Sequence, residues 1–252
     1  MEIPVWRARL ASAVVTVTGN LYLVVGTLVL SIFAVLFCWG PQRDAAGFAI
    51  ARLWSRGILT SSGVRLEPRY DPRLDMAASY VFLANHQSLF DIPAILLATP
   101  GQVRLVAKRS LFRIPIFGWA MKAGGFIPVD RADRSTARET FAQATAKLRH
   151  GTSVALFPEG TRAKGDALLP FQRGGFLIAL RSGLAIVPVG IRGTRALRST
   201  RSLAIHPGRA TVSFGAPIDP AEYGIRRKGE LAAEVRRRIA ELAGLAPEDE
   251  GG

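Results

Sequence analysis

The stretch Tyr80-Val81-Phe82-Leu83-Ala84-Asn85-His86-Gln87-Ser88-Leu89-Phe90-Asp91-Ile92-Pro93 reads as a strand, a polar turn and the start of a helix. Runs of the same β-rich kind recur at Val103 to Ala107, Gly125 to Val129, Ser153 to Phe157, Ala185 to Ile191 and Ala210 to Phe214. Helical patterns lie between them. From Ser135 to His150, Thr136 and Glu139 have capping-box spacing, Phe141 and Leu148 share a face, and Gly151 can end the helix. From Glu230 to Leu242, Leu231, Val235, Ile239 and Leu242 fall on one side, and Arg236, Arg237 and Arg238 read as a solvated face. Such alternation predicts an α/β fold, a mixed sheet flanked by helices.

The polar turn carries chemistry. A neutral imidazole takes a proton from a hydroxyl near pH 7, and a carboxylate on its other nitrogen fixes the tautomer and steadies the imidazolium. His86 and Asp91 are residues of those types. On a continuous helix five residues would set them about 140° apart, so they meet only if the turn curls back. Spacing alone leaves two readings open, a catalytic dyad or a histidine beside an unrelated first-turn carboxylate.

A second polar segment, Phe157-Pro158-Glu159-Gly160-Thr161-Arg162, also follows a predicted strand. Gly160 permits an unusual backbone angle, and Thr161, Arg162 and exposed amides could cradle a phosphate. Glu159 suits the task of orienting the loop. An ordinary turn with a surface ion pair is the alternative. Gly151-Thr152-Ser153-Val154-Ala155 nearly matches a nucleophile elbow, but the predicted strand follows it where the elbow requires a strand before it. Gly160 and Gly165 have P-loop spacing, yet Asp166 and Ala167 replace the Lys and Ser/Thr that such a loop needs.

Toward the N-terminus the pattern changes. No charged residue lies between Arg9 and Arg43, a stretch longer than the roughly 20 residues that cross a bilayer. One span from about Val17 to Trp39 is expected, or two shorter helices broken at Gly19-Asn20 that dip into one leaflet. The run is too long for the apolar core of a signal peptide. Residues 1–60 are read as this membrane-anchoring helical segment with a basic connector, and 61–252 as the α/β domain.

Among 252 residues, 33 Lys and Arg stand against 19 Asp and Glu, a net charge of +14, while 49% of the chain is hydrophobic. Basicity joined to a long apolar stretch points to an anionic membrane surface and away from nucleic acid. The single Cys38 excludes a disulfide within the chain, and three histidines without a Cys/His cluster give no zinc site. Neither a metal nor a cofactor is expected.

Together with Gly124-Gly125-Phe126-Ile127-Pro128-Val129-Asp130-Arg131 and Val187-Pro188-Val189, the two polar segments make four blocks in an order that resembles the glycerolipid acyltransferase superfamily, most closely the lysophosphatidic acid acyltransferases. The resemblance covers roughly residues 80 to 215. Its most specific part is the pairing of His-x4-Asp with Phe-Pro-Glu-Gly-Thr-Arg. It implies that His86 is the general base and Asp91 its partner, and that Arg131, Glu159, Gly160, Thr161 and Arg162 shape the acceptor phosphate site, with Lys108 a further candidate. It also implies transfer of a fatty acyl group from acyl-CoA or acyl carrier protein to a lysophospholipid, best 1-acyl-glycerol 3-phosphate with phosphatidic acid as product. Arg43, Arg52 and Arg56 after the apolar stretch outnumber Arg7 and Arg9 before it, which favours a catalytic domain on the cytoplasmic face of the inner (plasma) membrane, where a thioester donor is made. Phe171-Gln172-Arg173-Gly174 departs from the Lys-Lys-Gly that often follows a Phe in the family, and Pro128 is unusual in its block. Those departures keep another acceptor open, such as a lyso-ornithine lipid. A basic membrane-binding module without catalysis is the reading from outside the enzymes.

Overall fold

The computed structural model describes residues 5–38, 40, 43–129, 142–146, 151–172, 174–198, 202–224 and 226–246. A seven-stranded mixed sheet forms its centre, built from β1 (Val64–Tyr70), β2 (Val81–Ala84), β3 (Val103–Lys108), β4 (Ile127–Val129), β5 (Ser153–Leu156), β6 (Ile186–Arg192) and β7 (Gly208–Phe214). In space the order is β1-β7-β6-β2-β5-β3-β4. β6, β2, β5, β3 and β4 run parallel to one another, β7 is antiparallel to β6, and β1 pairs parallel to β7 at the edge. Every residue of β2 and of β5 is buried. That is why these strands read as unbroken apolar runs in place of an alternating pattern.

Alternate residues of each strand feed two cores. Phe82 and Ala84 point to one, with Ile95 and Leu96 of α4 (Asp91–Ala98) and Phe48 of α3 (Arg43–Ser61). Val81 and Leu83 point to the other, with Phe176 and Ile178 of α7 (Gly174–Ser182) and Leu231, Val235 and Ile239 of α9 (Lys228–Ala243). Three further helices are α5 (Phe117–Ala123), α6 (142–146) and α8 (Thr194–Leu197). α6 is the described part of the helix expected from Ser135 to His150. Of the arginines expected on a solvated face of α9, Arg237 and Arg238 pair with Glu234, whereas Arg236 donates to the carbonyl of Leu168.

At the N-terminus, α1 (Val5–Leu21), a π-helical turn (Tyr22–Gly26) and α2 (Thr27–Phe37) follow one another without a break, and 29 residues from Arg9 to Phe37 are long and apolar enough to cross a membrane. Gly19-Asn20 does not interrupt this helix. The Asn20 amide donates to the carbonyls of Thr16 and Leu203, and a Cβ on Gly19 would stand 2.5 Å from Ser62 Oγ. Gly19 thus marks a close approach to the body of the protein. The basic connector proves to be α3, whose Phe48, Ile58 and Leu59 are buried.

Candidate active site

β2 delivers the chain to the carboxyl edge of the parallel strands, where loops converge and ligand sites form. Asn85 holds that end: its side chain donates to Ile191 O at 2.9 Å and accepts from Ile191 N at 2.7 Å, tying β2 to β6. The next five residues curl back. His86 Nδ1 lies 2.8 Å from Asp91 Oδ2, which also accepts from the backbone N–H of Gln87 and of Ser88, each at 2.7 Å. The other oxygen, Oδ1, accepts from the hydroxyl of Thr194 at 2.5 Å, across 103 residues of sequence. A buried carboxylate surrounded by four donors is fully satisfied and cannot turn away.

The imidazole is held on two sides. Its Nδ1 edge faces Asp91, and one face stacks on Phe157 with ring centroids 4.1 Å apart and 18° between planes. Because both oxygens of Asp91 act as acceptors, Nδ1 carries the proton and Nε2 keeps a free lone pair. The side chain remains 13% exposed, which leaves that nitrogen a route to a reacting hydroxyl.

The segment after β5 packs directly beneath. Gly160 has φ of 76°, a left-handed angle that favours glycine, and its N–H closes a turn on Phe157 O at 3.0 Å. This turn buries Glu159, whose Oε1 accepts from the backbone N–H of His86 at 2.7 Å and whose Oε2 accepts from Leu169 N–H at 3.0 Å. Burial pushes the Glu159 carboxyl up to about 7; the two amide donors oppose that rise and the charge of Asp91 adds to it. Ala163 N–H donates to His86 O at 2.7 Å, and Gln87 Nε2 donates to Gly165 O at 3.1 Å. The two polar segments are therefore laced together through their backbones. Thr161 and Arg162 stand exposed on the outer limb of the loop.

Lys108 ends β3 at the same edge of the sheet, exposed and in register with Val129 of β4. Arg131, two residues beyond Val129, lies outside the described residues, as does Arg173. Ser153, the serine of the near-elbow, is buried within β5 and accepts from the backbone N–H of Tyr80, so it has no nucleophile's exposure. Three residues here carried no sequence signal: Thr194, Phe157 as a stacking partner, and Arg198, which is almost buried beside the turn and whose carbonyl accepts from Ser88 Oγ at 2.8 Å.

The Acyltransferase family model matches residues 67–192, from β1 through β6 and including both polar segments. The chain belongs to the acyltransferase family. This acyltransferase is 30% identical over 226 residues to the 1-acyl-sn-glycerol-3-phosphate acyltransferase of Escherichia coli K12, covering 87% of the chain and 91% of that relative. It is 34% identical over 216 residues to a chloroplast 1-acyl-sn-glycerol-3-phosphate acyltransferase of Arabidopsis thaliana, covering 84% of the chain but only 58% of the longer plant protein. The crystal structure of the 1-acyl-sn-glycerophosphate acyltransferase of Thermotoga maritima superimposes with a TM-score of 0.75 at 24% identity, over 93% of this chain and 97% of that one. The fold is shared nearly end to end.

Proposed function

We propose that the chain moves a fatty acyl group from acyl-CoA or acyl carrier protein to the sn-2 hydroxyl of 1-acyl-sn-glycerol 3-phosphate, giving phosphatidic acid. The observation that carries the reaction is the His86–Asp91 pair, bonded at Nδ1 and open at Nε2. As the acceptor oxygen forms its bond to the thioester carbonyl carbon, its proton passes to Nε2. The resulting imidazolium is steadied by Asp91, whose remaining contacts are already made. When the intermediate collapses, the carbon–sulfur bond breaks and the thiolate takes the proton from Nε2. Transfer is direct, in a ternary complex without an acyl-enzyme. The acceptor identity rests on the names of the relatives from Escherichia coli and Arabidopsis thaliana. We assign the acceptor phosphate to Arg162, Thr161 and the Gly160 turn, with Lys108 at the end of β3 and Arg131 contributing. Glu159 positions His86 through the backbone.

We further infer that α1 and α2 lie in one leaflet, parallel to the body of the protein, and do not cross the bilayer as a free span. Polar side chains along one face bond to the domain: Ser12 to His206, Thr16 to Ile205, Thr18 to Ser61, Asn20 to Leu203, and Thr27 accepts from Trp54 Nε1. The other face exposes Leu10, Val14, Val17, Leu21, Val24, Leu28, Ile32 and Leu36. Helical spacing makes these one stripe about 40 Å long at 1.5 Å per residue. A helix so docked along its length would drag the domain with it if it crossed. The stripe instead seats the site at the lipid surface, on the cytoplasmic side where the thioester donors are made.

The test is acyl transfer by the purified protein in detergent, with labelled acyl-CoA and acyl carrier protein offered against several lyso-lipids. Preferred transfer to 1-acyl-sn-glycerol 3-phosphate that His86→Ala abolishes supports the proposal. Preference for a lyso-ornithine lipid would move the acceptor, and no transfer by folded protein would leave a binding module.

A further inference from the structure

Arg198 has no role in the proposed mechanism, and its setting is unusual for an arginine. The residue is 7% exposed. Its backbone is pinned, N–H to Thr194 O at 3.0 Å and carbonyl to Ser88 Oγ at 2.8 Å, which fixes it between α8 and the turn that carries His86. The guanidinium carbon sits 5.9 Å from the centre of the Phe90 ring. Among the described residues no carboxylate pairs with it. Asp91 is saturated by four donors, Glu159 accepts two backbone amides, and Asp166 pairs with Arg195. None of its nitrogens belongs to the buried atoms that lack a partner, so the little exposure that Arg198 keeps reaches the charged group. Burial and the nearby charge of Arg162 both weaken its hold on a proton. An almost buried guanidinium with no carboxylate paired to it among the described residues is costly unless an anion completes the site.

We propose that Arg198 is a further cation of the acceptor phosphate site, reaching from the end of α8 to hold the phosphate monoester of the lyso-lipid opposite Arg162. This rests on the acyl-acceptor reading above and deepens it. A phosphate monoester carries close to two negative charges at neutral pH, and guanidinium forks on opposite sides of it suit the arrangement of its oxygens. A phosphodiester or a carboxylate headgroup brings one charge and compensates less of the positive charge gathered there. Arg198 therefore selects the monoester headgroup while His86 handles the hydroxyl.

The experiment is calorimetric binding in a non-ionic detergent, comparing 1-acyl-sn-glycerol 3-phosphate with the phosphate-free 1-acylglycerol of the same chain, for wild type, Arg198→Gln and Arg198→Lys. Wild type is expected to prefer the phosphate lipid, Arg198→Gln to lose about tenfold or more of that preference, and Arg198→Lys, which keeps the charge, to lose less. Thermal unfolding of all three checks that the pinned backbone survives. Unchanged preference in Arg198→Gln overturns the proposal, as does equal loss for both lipids in both variants, which would mean a structural role. No preference in wild type overturns it as well. Acyl transfer in the same preparations judges the broader reading separately: His86-dependent turnover without phosphate preference sinks this inference and spares the acyltransferase.

Discussion

The turn from Asn85 to Asp91 and the helix from α1 to α2 solve opposite problems. In the turn, the side chains of Asn85, Gln87, Ser88 and Asp91 all find partners inside the protein, and His86 is bonded at Nδ1 with its Nε2 left for the substrate. In the helix, polar groups are bonded on one face while an apolar stripe is left without cover. Saturation fixes atoms to within the tolerance that chemistry needs. An uncovered stripe fixes only depth and tilt at a surface, and small shifts along it cost little. Damage to the first region should appear as lost turnover with location intact, and damage to the second as lost location with chemistry intact.

The sharpest break of that comparison is His86→Ala. Removing the base should lower kcat/KM by about 10³-fold, roughly 4 kcal/mol of transition-state stabilisation. Melting should shift by only a few degrees, since the ring contributes one stack and one bond. Steady-state transfer and thermal unfolding read both quantities, and the variant should sediment with vesicles as wild type does. Residual activity above a tenth of wild type would remove His86 from the mechanism.

Next in size is the converse experiment. Leu21→Asp combined with Leu28→Asp puts two charges on the outward stripe, where both residues are exposed. Partition to vesicles containing anionic lipid should fall about 10²-fold, roughly 3 kcal/mol. Transfer to a short-chain acceptor dissolved in detergent should stay within about twofold. Equal loss in both assays would show that the helix shapes the site and does not merely seat it.

Glu159 sharpens the contrast from within the saturated region, because a buried carboxyl raised to about 7 from its ordinary 4.5 makes stability depend on pH. The folded protein keeps a proton that the unfolded chain releases above about pH 4.5, so it binds more protons across that window. Stability attributable to this group therefore falls as pH rises from about 4.5 to about 7 and levels off beyond. The whole swing is bounded near 3 kcal/mol. Denaturation midpoints at several pH values, wild type against Glu159→Gln, should show a slope that the carboxamide lacks. Parallel curves would mean that Glu159 titrates like a surface residue.

Much of this was legible from the chain. Six of the seven strands were readable, β2, β5 and β6 as the apolar runs of strands buried on both faces and β7 by the alternation of Ala210, Val212 and Phe214. β1 was not, since Arg65, Glu67 and Arg69 alternate around Pro68 on an edge strand, where proline is tolerated and one side faces water. Residue types at His86 and Asp91 announced their chemistry, but their meeting depends on the Gln87 and Ser88 amides that Asp91 gathers, and sequence does not print backbone direction. The charge-free stretch was plain, while its continuity through Gly19-Asn20 required Leu203 to occupy the Asn20 amide. Thr194 was out of reach altogether: an unremarked threonine opening a four-residue helix, far along the chain from the carboxylate it serves.

Thr194→Val gives the smallest effect and the finest division of the saturated turn. Valine keeps the shape and removes one hydroxyl, so Asp91 Oδ1 loses its one donor among the described residues while Oδ2 keeps three. Leaving one buried carboxylate oxygen without a partner should cost about 1–3 kcal/mol of stability. The rate should suffer less, about three- to tenfold, because Oδ2 still orients the imidazole. Unfolding and kcat measured together separate the two effects, and Thr194→Ser, which restores the hydroxyl, should recover most of both. If Thr194→Val instead lowers kcat as far as His86→Ala, the hydroxyl governs more than the posture of Asp91, and saturation of the whole carboxylate, not its bond to the ring, is what the turn was built to achieve.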